Sequence, residues 1–284
     1  MPPDSHFIHL DALSIHLLRW PNPGAPPLLL LHATGFLADL WRRLAEPLAA
    51  HYDIAALDVR GHGRAATPDA GYDFPSLTDD IVAVLDALGW RDVLAAGHSM
   101  GGALALIAAS RRPELVRGVF AVEPIVPTRA WRETSGAQLD GDRLADAARN
   151  RRPSFSSRAA VAERWRERPP FRSWDSRVFD DYVEYGFEQQ PDGSVALRCP
   201  PHIEAGVFDA AADFDAEPFL RDVRCPVLLA QGERTTPWFD AMLANAAALL
   251  PNASRLTIPG AGHLAPMEVP DLIASQIRAF DDAS

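Results

Sequence analysis

Apolar residues along this chain fall into short unbroken runs separated by longer stretches of mixed polarity. Pro27-Leu28-Leu29-Leu30-Leu31-His32 is one such run, the mark of a strand covered on both faces. Ile54 to Leu57, Val93 to Ala96, Val116 to Val122 and Pro226 to Gln231 repeat it, and Ser254 to Ile258 is read as a further strand. Phe7 to Leu10 and Ile15 to Trp20 read as a hairpin, closed by Pro21-Asn22-Pro23-Gly24. Helices are expected between these strands. They run from about Asp39 to Ala49 with Asp39 as N-cap, and from Ser76 to Leu88 with Gly89 as stop signal. Others run from Met100 to about Arg111, from Trp238 to Leu250 and from Asp271 to Phe280. Strands alternating with helices predict an α/β fold with a mostly parallel sheet covered on both faces.

The rhythm breaks from about Pro127 to Glu217. That stretch is rich in Arg, Pro, Trp and Asp and shows only helical pieces, Arg158 to Arg166 and Ser176 to Phe187. It reads as an insertion at the carboxyl edge of the sheet, where sites form. The expected organisation is therefore a core of residues 1–126 and 218–284 with a helical cap of 127–217.

Composition narrows the function classes. With 48% hydrophobic and 23% charged residues over 284 positions, the chain is an ordinary globular protein able to bury a large core. A net charge of −11 argues against nucleic acid, whose phosphates need a basic face. No apolar run approaches membrane length and no secretory signal opens the chain, so a cytoplasmic protein is expected. Cys199 and Cys225 read as free thiols in a reducing compartment. A small-molecule substrate, no nucleic-acid or membrane partner and a monomer or homodimer are the matching expectations.

The chemistry centres on Gly97-His98-Ser99-Met100-Gly101, set between a strand and a helix. That context makes G-x-S-x-G a nucleophile elbow. The turn is tight enough that the positions two before and two after Ser99 must lack bulk. Gly97 and Gly101 meet that need. The following helix aims its N-terminus at the reacting atoms, and the N–H of Met100 is a candidate oxyanion donor. A serine hydroxyl needs a base, and the base needs an orienting acid. His263, in Gly260-Ala261-Gly262-His263 after the last strand, is the best base. His98 is in the motif but points away from its neighbour's hydroxyl, His62 lies in a glycine-rich turn, and His32 ends a strand where packing is its job.

These residues resemble the α/β-hydrolase superfamily from about Ile15 to the C-terminus. The resemblance rests on Leu31-His32-Ala33-Thr34-Gly35-Phe36, Asp58-Val59-Arg60-Gly61-His62-Gly63, the elbow at Ser99 and Gly260-Ala261-Gly262-His263. It implies an eight-stranded, mostly parallel sheet and a cofactor-independent serine hydrolase that needs no metal. Most of the superfamily places its acid three residues past the glycine that ends the strand before last. Here that position holds Thr235, in Gln231-Gly232-Glu233-Arg234-Thr235-Thr236. Threonine cannot carry the charge that steadies an imidazolium. Glu123, at the tip of the strand after the elbow helix, is one replacement; one group of haloalkane dehalogenases and certain acyl-thioester hydrolases resemble this chain in placing their acid there. Glu233 is the rival acid. A charge ending an apolar strand is costly without a partner, which favours a role for Glu123. By the same resemblance Thr34 supplies the second oxyanion N–H, each donor contributing about 3 kcal/mol. Relatives usually have glycine where this chain has Ala33.

The insertion reads as a cap over the site, and its aromatic residues either hold the cap together or line an acyl or aryl pocket. Phe36, Trp131, Trp165 and Trp238 are the pocket candidates, and the arginines of the insertion read as a solvated face. The expected reaction is hydrolysis of a small carboxylic ester or thioester through an acyl-enzyme on Ser99. A carbon–carbon bond hydrolase acting on an activated ketone uses the same residues. A catalytically inactive ligand-binding module of this fold and cofactor-free oxygenation or perhydrolysis are further readings. Haloalkane dehalogenase and epoxide hydrolase chemistry are disfavoured, because both need a carboxylate at the serine position.

Overall fold

The computed structural model of the protein describes residues 2–11, 13–135 and 141–284. The chain opens with β1 (Asp4–His9), β2 (Ser14–Trp20) and β3 (Pro27–Leu31), then a 3-10 turn and α1 (Arg42–Leu48). It continues with β4 (Asp53–Leu57), α2 (Phe74–Leu88), β5 (Val93–His98), α3 (Met100–Arg111) and β6 (Val116–Val122). An insertion follows, with α4 (Arg129–Ser135), α5 (Gly141–Arg149), β7 (Ser154–Phe155), α6 (Arg158–Trp165), α7 (Ser176–Tyr185), β8 (Phe187–Gln189), β9 (Val195–Leu197) and α8 (Pro201–Asp213). The chain then runs through α9 (Glu217–Leu220), β10 (Val227–Gly232), α10 (Pro237–Leu249), β11 (Ala253–Ile258), α11 (Ala265–Glu268) and α12 (Pro270–Asp282).

The main sheet has eight strands in the order β1-β2-β4-β3-β5-β6-β10-β11. β1 and β2 are antiparallel to their neighbours, and β4, β3, β5, β6, β10 and β11 run parallel. The alternation along each central strand explains the two-sided core. Leu29, Leu31, Val93, Ala95, Val119 and Ala121 face α2, α3 and α10. Leu28, Leu30, Leu94, Ala96, Phe120 and Val122 face α1 and α12. Apolar residues on both sides of every central strand are the direct reason for unbroken rather than alternating runs. After β3 the chain goes to β4 on one side, and β5 lies on the other. The strand order reverses there, so a crevice opens between the loops that follow β3 and β5.

The insertion leaves after β6 and returns to its starting point, where the Ala216 N–H donates to the Pro127 carbonyl at 2.8 Å. It carries a small antiparallel sheet, β7-β9-β8, which the amino-acid pattern did not reveal. Its aromatic cluster, including Phe155, Trp174, Phe179, Tyr182 and Phe187, packs against Leu37, Leu40 and Met267 of the main body. Cys199 and Cys225 are free thiols. Among the described residues no helix is long and apolar enough to cross a membrane.

Asp39 departs from its expected place. The segment begins as a 3-10 turn at Ala38 with Leu37 before it, and no side chain caps it. The buried Asp39 carboxylate instead accepts from Arg42 Nε at 2.8 Å and Arg64 Nη1 at 2.9 Å. An ion pair that also ties down the loop after β4 outweighs the capping preference at this position.

A second buried carboxylate organises the neighbouring loops. Asp58 is fully buried and lies 2.6 Å from His16 Nδ1, and it accepts from the backbone N–H of Ala38 at 2.7 Å and of Arg64 at 2.8 Å. Burial alone would raise its carboxyl pKa, but the His16 hydrogen bond and charge hold it below the ordinary value. Removing a partner from such a pair strands the other buried groups. Asp58→Ala is expected to lower unfolding free energy by about 3–5 kcal/mol in urea titration. Because the folded pKa is depressed, the charge's contribution is present above the unfolded value near 3.8 and lost as pH falls through the folded value. Stability of Asp58→Asn is therefore expected to fall less steeply on acidification than that of the parent chain.

Candidate active site

Ser99 sits at the turn between β5 and α3 with φ 53° and ψ −114°. L-residues adopt this conformation only where their surroundings over-determine it. Two close approaches do so here. A Cβ on Gly97 would lie 2.3 Å from the Gly101 carbonyl oxygen, and one on Gly101 would lie 2.2 Å from that of Leu31. Only glycine lets α3 press this tightly on the ends of β3 and β5. The Ser99 N–H donates to the Val122 carbonyl at 2.9 Å, and the Ser99 carbonyl accepts from the Ile125 N–H at 3.2 Å. The elbow is thereby locked to the end of β6, where Glu123 begins the next loop.

Glu123 is fully buried and also has a positive φ, 42°. Its N–H donates to the Ala230 carbonyl at 2.8 Å. One carboxylate oxygen, Oε1, accepts from the Gly232 N–H at 2.8 Å. The other, Oε2, lies 2.7 Å from His263 Nδ1. A carboxylate only accepts, so the proton of that bond sits on Nδ1 and leaves Nε2 as the basic nitrogen. Glu233 is exposed and accepts from the Gly260 N–H at 2.8 Å. Among the described residues it makes no bond to the His263 ring. Thr235 turns its N–H back to the Gly232 carbonyl at 3.0 Å.

The His263 ring is flanked by two rings that the amino-acid pattern did not assign to it. Phe239 of α10 lies 5.2 Å away between centroids, and His98 lies 5.1 Å away. His98 Nε2 donates to the His263 carbonyl at 2.7 Å, a bond that joins the residue before Ser99 to the proposed base. Burial, followed by the nearby His263 charge, pushes the His98 pKa well below its ordinary value, so the ring stays neutral and keeps its donor role. Ser99 Oγ and His263 share no hydrogen bond among the described residues. Such bonds are often long or poorly aligned in the absence of substrate.

In the loop after β3, the Phe36 N–H closes a turn on the Ala33 carbonyl at 3.1 Å. The Thr34 N–H has no backbone acceptor among the described residues. Met100 begins α3, so its N–H has no intrahelical acceptor. His32 holds this loop by donating from Nδ1 to the Ala33 carbonyl at 2.8 Å and accepting the Val59 N–H on Nε2 at 3.0 Å. Burial, reinforced by His62, lowers its pKa to about 3, consistent with this neutral, one-donor arrangement.

The four aromatic candidates fall in different places. Phe36 packs edge-on against Trp174 at 5.5 Å and Tyr182 at 5.9 Å, where the insertion meets the loop after β3. Trp238 is exposed and lies 6.1 Å from the buried Trp131, at the start of the helix that carries Phe239. Trp165 stacks on Phe171 at 4.9 Å and faces Phe155 at 5.1 Å inside the insertion. Among the described residues its ring contacts include neither Ser99 nor His263.

A family model for the alpha/beta hydrolase fold matches residues 26–270. The chain belongs to this family. It is 29% identical over 289 residues to 2-(acetamidomethylene)succinate hydrolase of Mesorhizobium japonicum, covering 98% of this chain and 96% of that protein. The crystal structure of E-2-(acetamidomethylene)succinate hydrolase superposes with a TM-score of 0.85 at 24% identity, covering 99% of both chains. A thioesterase domain from the curacin biosynthetic pathway superposes with a TM-score of 0.77 at 24% identity, covering 98% of this chain and 100% of that one. Those two likenesses are of fold. Family and relatives together support a hydrolase.

The elbow's packing has a direct consequence for variants of this family member. Gly101→Ala places a methyl group against backbone that has no room to yield. It is expected to destabilise the chain by about 1–3 kcal/mol or more, measured by thermal melting. An unchanged melt would contradict the close packing of α3 on Leu31.

Proposed function

We propose that this hydrolase cleaves a small carboxylic ester or thioester, with Ser99 as nucleophile, His263 as base and Glu123 as the orienting acid. The observation that carries this reading is the 2.7 Å bond from His263 Nδ1 to the buried Glu123 carboxylate, beside a serine held in elbow geometry. Nε2 takes the proton from Ser99 Oγ as oxygen attacks the substrate carbonyl. The Met100 and Thr34 N–H groups receive the developing oxyanion. His263 then protonates the leaving alcohol or thiol. It next activates a water that attacks the acyl carbonyl and frees Ser99. Glu123 stays ionised, holds the ring in the Nδ1–H tautomer and stabilises the imidazolium.

Several features support the assignment of the acid. Glu123 stands at the tip of β6, next to the serine strand, and its second oxygen is occupied by Gly232, so it has one orientation. Glu233 is exposed and engaged with Gly260. A small substrate agrees with the limited exposure of Ser99, 7%, and we read the aromatic insertion as a cap over it. The Mesorhizobium relative is named for hydrolysis of a small substituted succinate, which agrees in size. A serine nucleophile also speaks against halide and epoxide chemistry.

Activity on p-nitrophenyl esters of graded chain length tests the reading. Glu123→Gln is expected to cut kcat by about 10³–10⁴-fold, because the ring loses its orienting charge. Glu233→Gln is expected to retain nearly full activity. The opposite pattern would move the acid to Glu233 and overturn the assignment.

A further inference from the structure

The loop that carries His263 is fastened at several backbone groups, and one fastening reaches the insertion. Arg234 N–H donates to the Ala261 carbonyl at 2.9 Å, and His98 holds the His263 carbonyl. Between them, the Gly262 N–H donates to Glu268 Oε2 at 2.8 Å. Glu268 lies five residues past His263, at the end of α11. Its carboxylate is only 8% exposed, yet three groups besides Gly262 meet it or its turn. Arg234 Nη2 donates to Oε2 at 2.8 Å. Ser173 Oγ, from the insertion, lies 3.1 Å from Oε1 and 3.0 Å from the Pro170 carbonyl, which share its one proton. The insertion's Asp175 N–H donates to the Met267 carbonyl at 2.9 Å. A cleft of about 580 Å³ opens at this junction, lined by Pro169, Pro170, Arg172, Ser173, Gly262 and Glu268, among others.

We propose that Glu268 is a positioning residue that couples the seating of the insertion to the placement of His263. The inference rests on the proposed role of His263 as base. The physical reasoning is short. A buried carboxylate must satisfy its oxygens, and here it does so with one donor from the histidine loop, one from the turn after β10 and one from the insertion. Moving the insertion, and Ser173 with it, away from Glu268 changes the hydrogen bonding of the same group that holds Gly262. Gly262 is the residue before His263, so a small displacement there is carried directly to the ring. The bond to Glu123 and the flanking Phe239 and His98 rings hold the imidazole itself. The hold on Gly262 fixes the backbone that carries it, and so where Nε2 sits relative to Ser99. Glu268 touches neither substrate nor reacting atoms in this scheme, and acts through the loop alone.

The test compares Glu268→Ala, Glu268→Gln and Ser173→Ala with the parent chain and Ser99→Ala. Readouts are the rate of labelling by a fluorophosphonate probe, kcat and KM on p-nitrophenyl acetate, and the thermal midpoint. Labelling of the parent chain with none of Ser99→Ala establishes the nucleophile independently; if the parent is not labelled, the functional reading itself fails. Given that labelling, Glu268→Ala is expected to slow both labelling and kcat by about tenfold to a hundredfold, with KM little changed. Glu268→Gln keeps an oxygen for the Gly262 N–H and is expected to recover most of the rate. Ser173→Ala, at an exposed site that leaves the fold intact, is expected to lower kcat measurably without altering the thermal midpoint. Labelling by Glu268→Ala at the parent rate overturns the proposal. So does a Glu268→Gln variant as slow as Glu268→Ala, or a Ser173→Ala variant with unchanged kcat. If Glu268→Ala does not fold, Glu268→Gln and Ser173→Ala decide by the same criteria.

Discussion

A buried carboxylate at the end of an apolar strand is the constraint on which this site depends. Glu123 sits where β6 stops, out of reach of water, with a backbone angle that L-residues avoid. Leaving such a charge unpaired would cost several kcal/mol, so its two oxygens must be met. Gly232 meets one and His263 meets the other. The first bond ties β6 to the end of β10, and the second reaches the loop after β11. One side chain therefore holds together the ends of the sheet's later strands, and the imidazole's orientation follows from satisfying that charge.

The sheet's topology supplies the rest. Strand order reverses beside β3, and the crevice there receives the elbow from β5 and the turn from β3. Backbone contacts, more than side chains, bring these pieces into register. Gly101 lies against Leu31, Ser99 is bonded to Val122, and His98 is bonded to the His263 carbonyl. Strain at Ser99 and Glu123 is tolerated because buried neighbours on both sheet faces leave no alternative packing. Neutral histidines serve as connectors. His32 and His98 are each kept uncharged by burial, which lets each act as a hydrogen-bonding strut between loops.

Much of this was legible in the amino-acid pattern because its cause is local. Unbroken apolar runs marked the buried strands, and glycines two before and two after Ser99 marked the elbow. Thr235 was informative by what it lacks, and it directed attention to Glu123. What stayed hidden arises from contacts between distant segments. Asp39 looks like a helix cap, yet two arginines, one of them 25 residues away, claim it. The insertion's small sheet consists of strands too short to leave a period. Phe239 follows Trp238 in the chain, but only the course of α10 decides which of the two rings reaches His263. The hold of Glu268 on Gly262 is likewise invisible until α11 turns back beneath the histidine loop.

The central claim is that the acyl group passes through Ser99. The most direct measurement is rapid quenching of the enzyme with p-nitrophenyl acetate, followed by proteolysis and mass mapping of the peptides. One acetyl group on the peptide containing Ser99, appearing with the burst of p-nitrophenol and disappearing as substrate is exhausted, is the expected result. Sustained turnover with no adduct on Ser99, or with the acetyl group on a different side chain, would contradict the account.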